Sequence, residues 1–104
     1  MTLIELKAIL EASGYPVAYS HFNESITPPY ICYLITYSSN LMADDKVYKK
    51  IDNVQIELYT SKKDLVAENN LETLLDENEI PYESIETFIQ AEQIFQKIYE
   101  VRLL

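Results

Sequence analysis

The middle of the chain contains a segment in which two alternating sets of side chains are both apolar. It runs from Tyr30 to Ser38. Side chains alternate between the two faces of a strand, so this pattern predicts a strand covered on both faces, lying inside a sheet or an assembly. The two sets are Ile31, Tyr33, Ile35 and Tyr37, and Tyr30, Cys32, Leu34 and Thr36.

A second strand is predicted from Lys46 to Thr60, and the parity of its apolar residues changes midway. The change near Asp52 and Asn53 predicts a bulge or a change in the surroundings of the strand, because a slip of one residue moves side chains to the other face. We assign the inner half, Val54–Thr60, to the sheet and expect residues 39–51 to form a hairpin arm that projects beyond it. The outer apolar set is Val47 and Ile51, and the inner set is Val54, Ile56 and Leu58.

Two helices are predicted from apolar spacing and capping signals. Thr2 and Glu5 have the spacing of a capping box, and Gly14 is placed to end the first helix. Ser61 or Asp64 can cap the second helix, which we expect to end near Asn78. The predicted buried stripes are Leu3, Leu6, Ile9 and Leu10 in the first helix, and Ala67, Leu71, Leu74 and Leu75 in the second.

The remaining alternation predicts strands over Ile85–Ala91 and Ile94–Leu103, with a short strand over Val17–Ser20. Glu92-Gln93 lacks the residues typical of a two-residue turn, so we expect a longer or bulged connection. The sequence therefore predicts one α+β domain over residues 1–104, in the order α-β-β-β-α-β-β. Two helices flank a mostly antiparallel sheet of four to five strands, with a projecting hairpin arm.

Charge is distributed unevenly over the 104 residues, whose net charge is −9. Residues 1–63 contain seven acids and six bases, whereas residues 64–104 contain ten acids and two bases. The excess of acidic over basic residues argues against direct nucleic-acid binding, which needs basic side chains against phosphate. An acidic surface can repel a passing polyanion, meet a basic partner or simply aid solubility. Its candidate residues on the second helix are Glu68, Glu72 and Asp76.

The sequence favours a protein that is not an enzyme and has no cofactor. Cys32 and His21 are the only cysteine and histidine, and no motif places them together. A single glycine excludes a phosphate-binding loop. Asp44-Asp45, with Asp52, is the best metal candidate, but adjacent aspartates are more typical of turns, and we predict no metal site. No signal peptide or membrane span is evident, so we expect a cytoplasmic protein without membrane contact.

The predicted arm is the candidate assembly interface because it concentrates basic charge. Lys46, Lys49, Lys50, Lys62 and Lys63 supply five of the eight basic residues. A basic arm can grip an acidic surface of a neighbouring copy in a head-to-tail ring, or lysines can simply protect an exposed strand edge from aggregation. The interface candidates are Asp44, Asp45, Lys46, Tyr48, Lys49 and Lys50.

Three segments of the sequence resemble a family of phage proteins. They are LxxILExSGxPVAYSHF near the start, then PPYICYLITYSSN, then ADDKVYKKIDNVQIELYTSKKD before the second helix. With these segments the chain resembles the tail-completion, or tail-terminator, proteins of long-tailed phages and prophages of Gram-positive bacteria. The resemblance covers nearly the whole chain and includes no catalytic signature.

The resemblance implies a structural protein of the virion. Such proteins form rings, typically hexameric, that end a tail tube at its head-proximal end and join it to the head–tail connector protein. The expected partners are other copies, the tail tube protein and the connector, while DNA passes through without specific binding. The expected locations are the host cytoplasm during assembly and then the virion tail. The alternatives are a head-closure component of the same particle and a small acidic protein-binding inhibitor.

Overall fold

The structure, a computed structural model, describes residues 1–43 and 46–103, without the side chains of residues 40–49. It confirms the predicted α+β fold, with two helices and a five-stranded mixed sheet. The elements are α1 (Leu3–Glu11), β1 (Val17–Tyr19), β2 (Tyr30–Ala43), β3 (Lys46–Thr60), α2 (Leu65–Glu77), β4 (Tyr82–Ile89) and β5 (Ile94–Leu103).

The sheet has the strand order β1-β2-β3-β5-β4, with β3 at its centre. β1 pairs parallel with β2, and the other three pairings are antiparallel. β2 and β3 are the longest strands, with 14 and 15 residues. The hairpin they form is therefore the long axis around which the other elements are arranged.

Both helices pack on one face of the sheet. Leu6 and Leu10 from α1 and Leu71 and Leu75 from α2 are fully buried against this face. The sheet contributes one alternating set from each long strand to this core, including Ile31 and Tyr33 from β2, Val54, Ile56 and Leu58 from β3, and Tyr99, Val101 and Leu103 from β5. The opposite face carries neither of these helices, and we call it the open face.

The capping signals in the sequence are confirmed. Thr2 accepts a hydrogen bond from the backbone N–H of Glu5, and the Glu5 carboxylate accepts one from the backbone N–H of Thr2, which completes the capping box. Asp64, rather than Ser61, caps α2 by accepting a bond from the Ala67 N–H at 3.0 Å. Gly14 has φ +85°, the left-handed conformation expected of a glycine after a helix.

The predicted irregularity in the long hairpin exists, but the extra residue is not in β3 at Asp52 and Asn53. Ile35 pairs with Val54 and Tyr37 with Asn53, so the additional residue is Thr36 in β2. The bulge turns Tyr37 away from the core, and it is 64% exposed. The expectation that Tyr37 shares a face with Ile35 was therefore wrong, since a bulge reverses the alternation after it.

The C-terminal hairpin differs in its bounds from the prediction. β4 begins at Tyr82 and ends at Ile89, earlier than the predicted Ile85–Ala91. Residues 90–93 connect it to β5, and Gln93 adopts φ +54°. The expected longer connection is confirmed. It allows Ile89 to pair directly with Ile94.

Candidate interaction surfaces

The hairpin arm, residues 39–43 and 46–51, extends beyond the other described strands. Its two strands pair with each other from Ser39–Ile51 to Ala43–Lys46. The pairing of β5 with β3 reaches only Asp52, and the pairing of β1 with β2 reaches only Tyr33. Within the described backbone, the arm is therefore a two-stranded ribbon, and the molecule measures 50 × 29 × 23 Å.

The candidate interface residues of the arm fall into three groups. The side chain of Lys50 is 66% exposed and its Nζ lies 3.9 Å from an Asp52 carboxylate oxygen, a distance typical of a weak surface pair. Lys46, Tyr48 and Lys49 belong to β3, and their side chains lie outside the description. Asp44 and Asp45 lie outside the described residues altogether.

A groove lies at the opposite end of the sheet from the arm. We call it the end groove, and its volume is about 630 Å³. The loop before β2 and the connection between β4 and β5 flank it, and β2, β3 and β5 form its floor. Its principal lining residues are Phe22, Glu24, Tyr30, Tyr59, Glu92 and Ile94.

Three aromatic rings form one wall of the end groove. Tyr30 and Tyr59 are cross-strand partners, and their rings stack with centroids 4.8 Å apart. Phe22 meets Tyr30 edge-on at 5.5 Å. The wall therefore presents an electron-rich surface with polar hydroxyl tips, the arrangement that attracts a cationic side chain.

Glu57 makes the floor of this end of the sheet negative. Its side chain is 9% exposed, and it accepts hydrogen bonds from Gln55 at 2.6 Å and Tyr59 at 3.1 Å. Both donors are neutral, and the described residues provide no ion pair for this carboxylate. The pKa of Tyr59 is raised by burial and then by the Glu57 charge. The pKa of Tyr30 is raised by burial, Cys32, Glu92 and Glu57.

Cys32 and His21 both line the end groove, but the geometry does not prepare a nucleophile. Burial and the Glu57 charge raise the pKa of the Cys32 thiol to about 11. Reactive cysteines have lowered pKa values beside cations. The His21 Nδ1 instead lies 3.1 Å from the Ser20 hydroxyl. Cys32 is therefore a protonated, buried thiol at neutral pH.

On the other side of the sheet, carboxylates of α2 are neutralised internally. Glu68 is 5% exposed. Its carboxylate forms ion pairs with Lys63 at 2.8 Å and Lys97 at 2.9 Å. Glu72 accepts a hydrogen bond from the buried Tyr99 hydroxyl at 2.6 Å. We call the set formed by Lys63, Glu68, Glu72, Lys97 and Tyr99 the α2–β5 network.

The expectation of an acidic surface formed by Glu68, Glu72 and Asp76 needs correction. Their spacing does place them along one side of α2. However, the N-terminal part of that side faces β5 rather than solvent. Glu68 is buried and ion-paired, Glu72 is half-buried, and Asp76 is exposed. Exposed carboxylates are found instead at the end of α2 and along β4: Glu77, Glu79, Glu83 and Glu86.

Sequence reasoning missed the end groove because its parts are distant in the sequence. The parity of Tyr30 and Tyr59 was visible, but stacking depends on the register between β2 and β3. Among the described residues, no group of three or more acidic, histidine or cysteine side chains is placed to hold a metal ion. No helix in the described part is both long and apolar enough to cross a membrane.

The chain was also compared with known proteins. No model of a known protein family matches it, and no curated protein matches it.

Proposed function

We propose that this protein is a structural assembly subunit that caps the head-proximal end of a phage tail tube and joins it to the head connector. The observation that carries the proposal is the two-stranded arm, which extends from the sheet and pairs with no other described strand. A long ribbon with unpaired edges is stable mainly when another molecule covers it, because an isolated hairpin is marginal in water.

The chemistry of the described residues supports an assembly role more than catalysis. A buried polar cluster, the α2–β5 network, is held by its own ion pairs and hydrogen bonds. The one thiol is buried and its pKa is raised. Two surfaces outside this network, the arm and the end groove, are suited to contacts between proteins.

The charge distribution supports a position around a DNA channel. Residues 64–104 hold most of the excess negative charge, and exposed carboxylates lie on β4. A ring that presents these carboxylates to its lumen repels phosphate and lets DNA pass without binding. The proposed ring is a homo-oligomer, hexameric by the resemblance noted in the sequence.

The test is to mix the purified protein with tail tubes assembled from tube protein and to measure tube length by negative-stain electron microscopy. We expect the protein to stop growth and to appear as extra density at one tube end. A variant in which a two-residue turn replaces residues 40–50, which keeps the buried Ile51 and its partner Ser39, should remain folded and lose this effect. Tubes that grow equally long with and without the protein would contradict the proposal.

The same experiment separates two alternatives. A head-closure component would ignore tubes and cross-link to connector or portal proteins instead. A small acidic inhibitor would ignore both and bind a basic host protein with strong dependence on salt.

A further inference from the structure

We propose that the end groove is the receptor for a lysine of the hairpin arm of a second copy, so that copies join head to tail. This inference rests on the proposed ring of copies and names the two surfaces that join them. It starts from the positions of the arm and the end groove, which are at opposite ends of the same hairpin.

The register of β2 fixes this separation. Tyr30, which lines the end groove, pairs with Tyr59, and Ala43, at the arm tip, pairs with Lys46. The 14 residues of β2 span roughly 40 Å at about 3.3 Å per residue. An arm cannot reach the groove of its own chain over this distance in a regular strand. It can reach the groove of a neighbour, which produces a heterologous contact that closes into a ring or continues as a filament.

The two surfaces are complementary in charge. Residues 39–51 contain three bases, Lys46, Lys49 and Lys50, and two acids, Asp44 and Asp45, which gives a net charge of +1, and the Lys50 Nζ lies 3.9 Å from an Asp52 carboxylate oxygen. The end groove is lined by Glu24 and Glu92, and none of its described lining residues is a lysine or arginine. The Glu57 carboxylate beside it has only neutral hydrogen-bond partners among the described residues.

The shape and chemistry of the end groove suit a lysine side chain. Its volume of about 630 Å³ accommodates several side chains, and the stacked rings of Tyr30 and Tyr59 can cover an aliphatic stem. The ammonium group is then attracted by the exposed carboxylates of Glu24 and Glu92 and by the aromatic faces. An anionic occupant would be repelled by these carboxylates.

Two matched double variants test the contact by charge exchange. The arm variant carries Lys46→Glu and Lys49→Glu, and the groove variant carries Glu24→Lys and Glu92→Lys. Self-association of the full chain is measured by sedimentation velocity over a wide concentration range, without tail tubes. Failure here is thus distinguishable from failure to cap tubes.

We expect each variant alone to associate at least about tenfold more weakly than the original protein, because like charges then meet. Mixed in equal amounts, the two variants should associate again, since each arm then finds a groove of opposite charge. The controls, Lys7→Glu with Lys62→Glu and Glu11→Lys with Glu77→Lys, make the same charge changes at exposed positions outside both surfaces and should associate normally.

Three outcomes would overturn the proposal. The first is a monomer at all concentrations for the original protein. The second is no recovery on mixing when circular dichroism shows both variants folded. The third is loss of association in the groove variant alone, with the arm variant unaffected, which would assign the groove to a different occupant.

Discussion

Glu57 and Glu68 are both buried carboxylates, but their surroundings differ in charge. Glu68 lies between α2 and the sheet and is neutralised by Lys63 and Lys97. Glu57 lies near the end groove and is held by the neutral side chains of Gln55 and Tyr59. The first region balances its own charge within the chain, whereas in the second the described residues give the Glu57 carboxylate only neutral hydrogen-bond partners.

The comparison teaches that burial alone does not distinguish a structural carboxylate from one that contributes to binding. A buried charge is expensive unless it is paired, and loss of one partner from a buried pair is strongly destabilising. The α2–β5 network should therefore matter for stability. The end groove should matter for association, because its charge is only partly compensated within one chain.

The largest expected effect on stability comes from removing the charge of Glu68. Glu68→Gln leaves Lys63 and Lys97 without their shared carboxylate, and we expect the free energy of unfolding to fall by about 2 kcal/mol. The value is below that of a fully buried pair because Lys63 is 45% exposed. Urea unfolding followed by circular dichroism measures it.

The matched control is Glu57→Gln. The new amide can still accept a hydrogen bond from the Tyr59 hydroxyl and can donate one to a rotated Gln55 amide. We therefore expect the free energy of unfolding to fall by less than about 1 kcal/mol. Equal losses in the two variants would remove the distinction between the two regions.

A smaller effect is expected from the tyrosines that donate hydrogen bonds to Glu72 and Glu57. The Tyr99 hydroxyl is fully buried and donates to Glu72 at 2.6 Å. Tyr99→Phe should lower the free energy of unfolding by about 1.5 kcal/mol, the scale of a hydrogen bond to a charged group. Tyr59→Phe should cost below about 1 kcal/mol, since Glu57 keeps its hydrogen bond from Gln55 and the half-buried Gln96 amide can bind water instead. Both losses are measured by chemical denaturation. A larger loss of unfolding free energy in Tyr59→Phe than in Tyr99→Phe would contradict the comparison.

The smallest expected effect is on how steeply the free energy of unfolding falls as the pH is lowered, a part of the pH profile that we call the acid limb. Burial raises the pKa of Glu68, but hydrogen bonds from Lys63 and Lys97 outweigh it and lower the folded-state pKa below the ordinary 4.5. The stabilisation is therefore present above pH 4.5 and is lost as the pH falls through the folded-state value. The acid limb should be flatter in Glu68→Gln than in the original protein. Identical limbs in a pH series of urea titrations would show that Glu68 is not the responsible group.

Local signals in the sequence predicted much of the fold. The capping box at Thr2 and the parity of the apolar residues depend on neighbours within a few positions, so they were readable. The position of the bulge was not, because parity shows that a register changes but not which of two paired strands holds the extra residue. That residue is Thr36, and its position reverses the direction of Tyr37.

The candidate site was less predictable for a similar reason. Lysines in the arm were visible as a cluster in the sequence. The end groove brings together Phe22, Tyr59 and Glu92, which only strand register and the 90–93 connection place side by side. The spacing of residues along α2 predicted that Glu68 is solvated. In the structure Glu68 pairs with Lys97 of β5, and the periodicity of a helix carries no information about residues on another element.

The central claim is that the arm of one copy lies in the end groove of another. Zero-length carbodiimide coupling of a mixture of ¹⁴N- and ¹⁵N-labelled protein tests it directly, because the reagent joins an amine and a carboxylate only when they touch. The account predicts mixed-isotope peptides that link Lys46, Lys49 or Lys50 to Glu24 or Glu92. Intermolecular links that avoid the end groove, or links found only within one isotope, would contradict it.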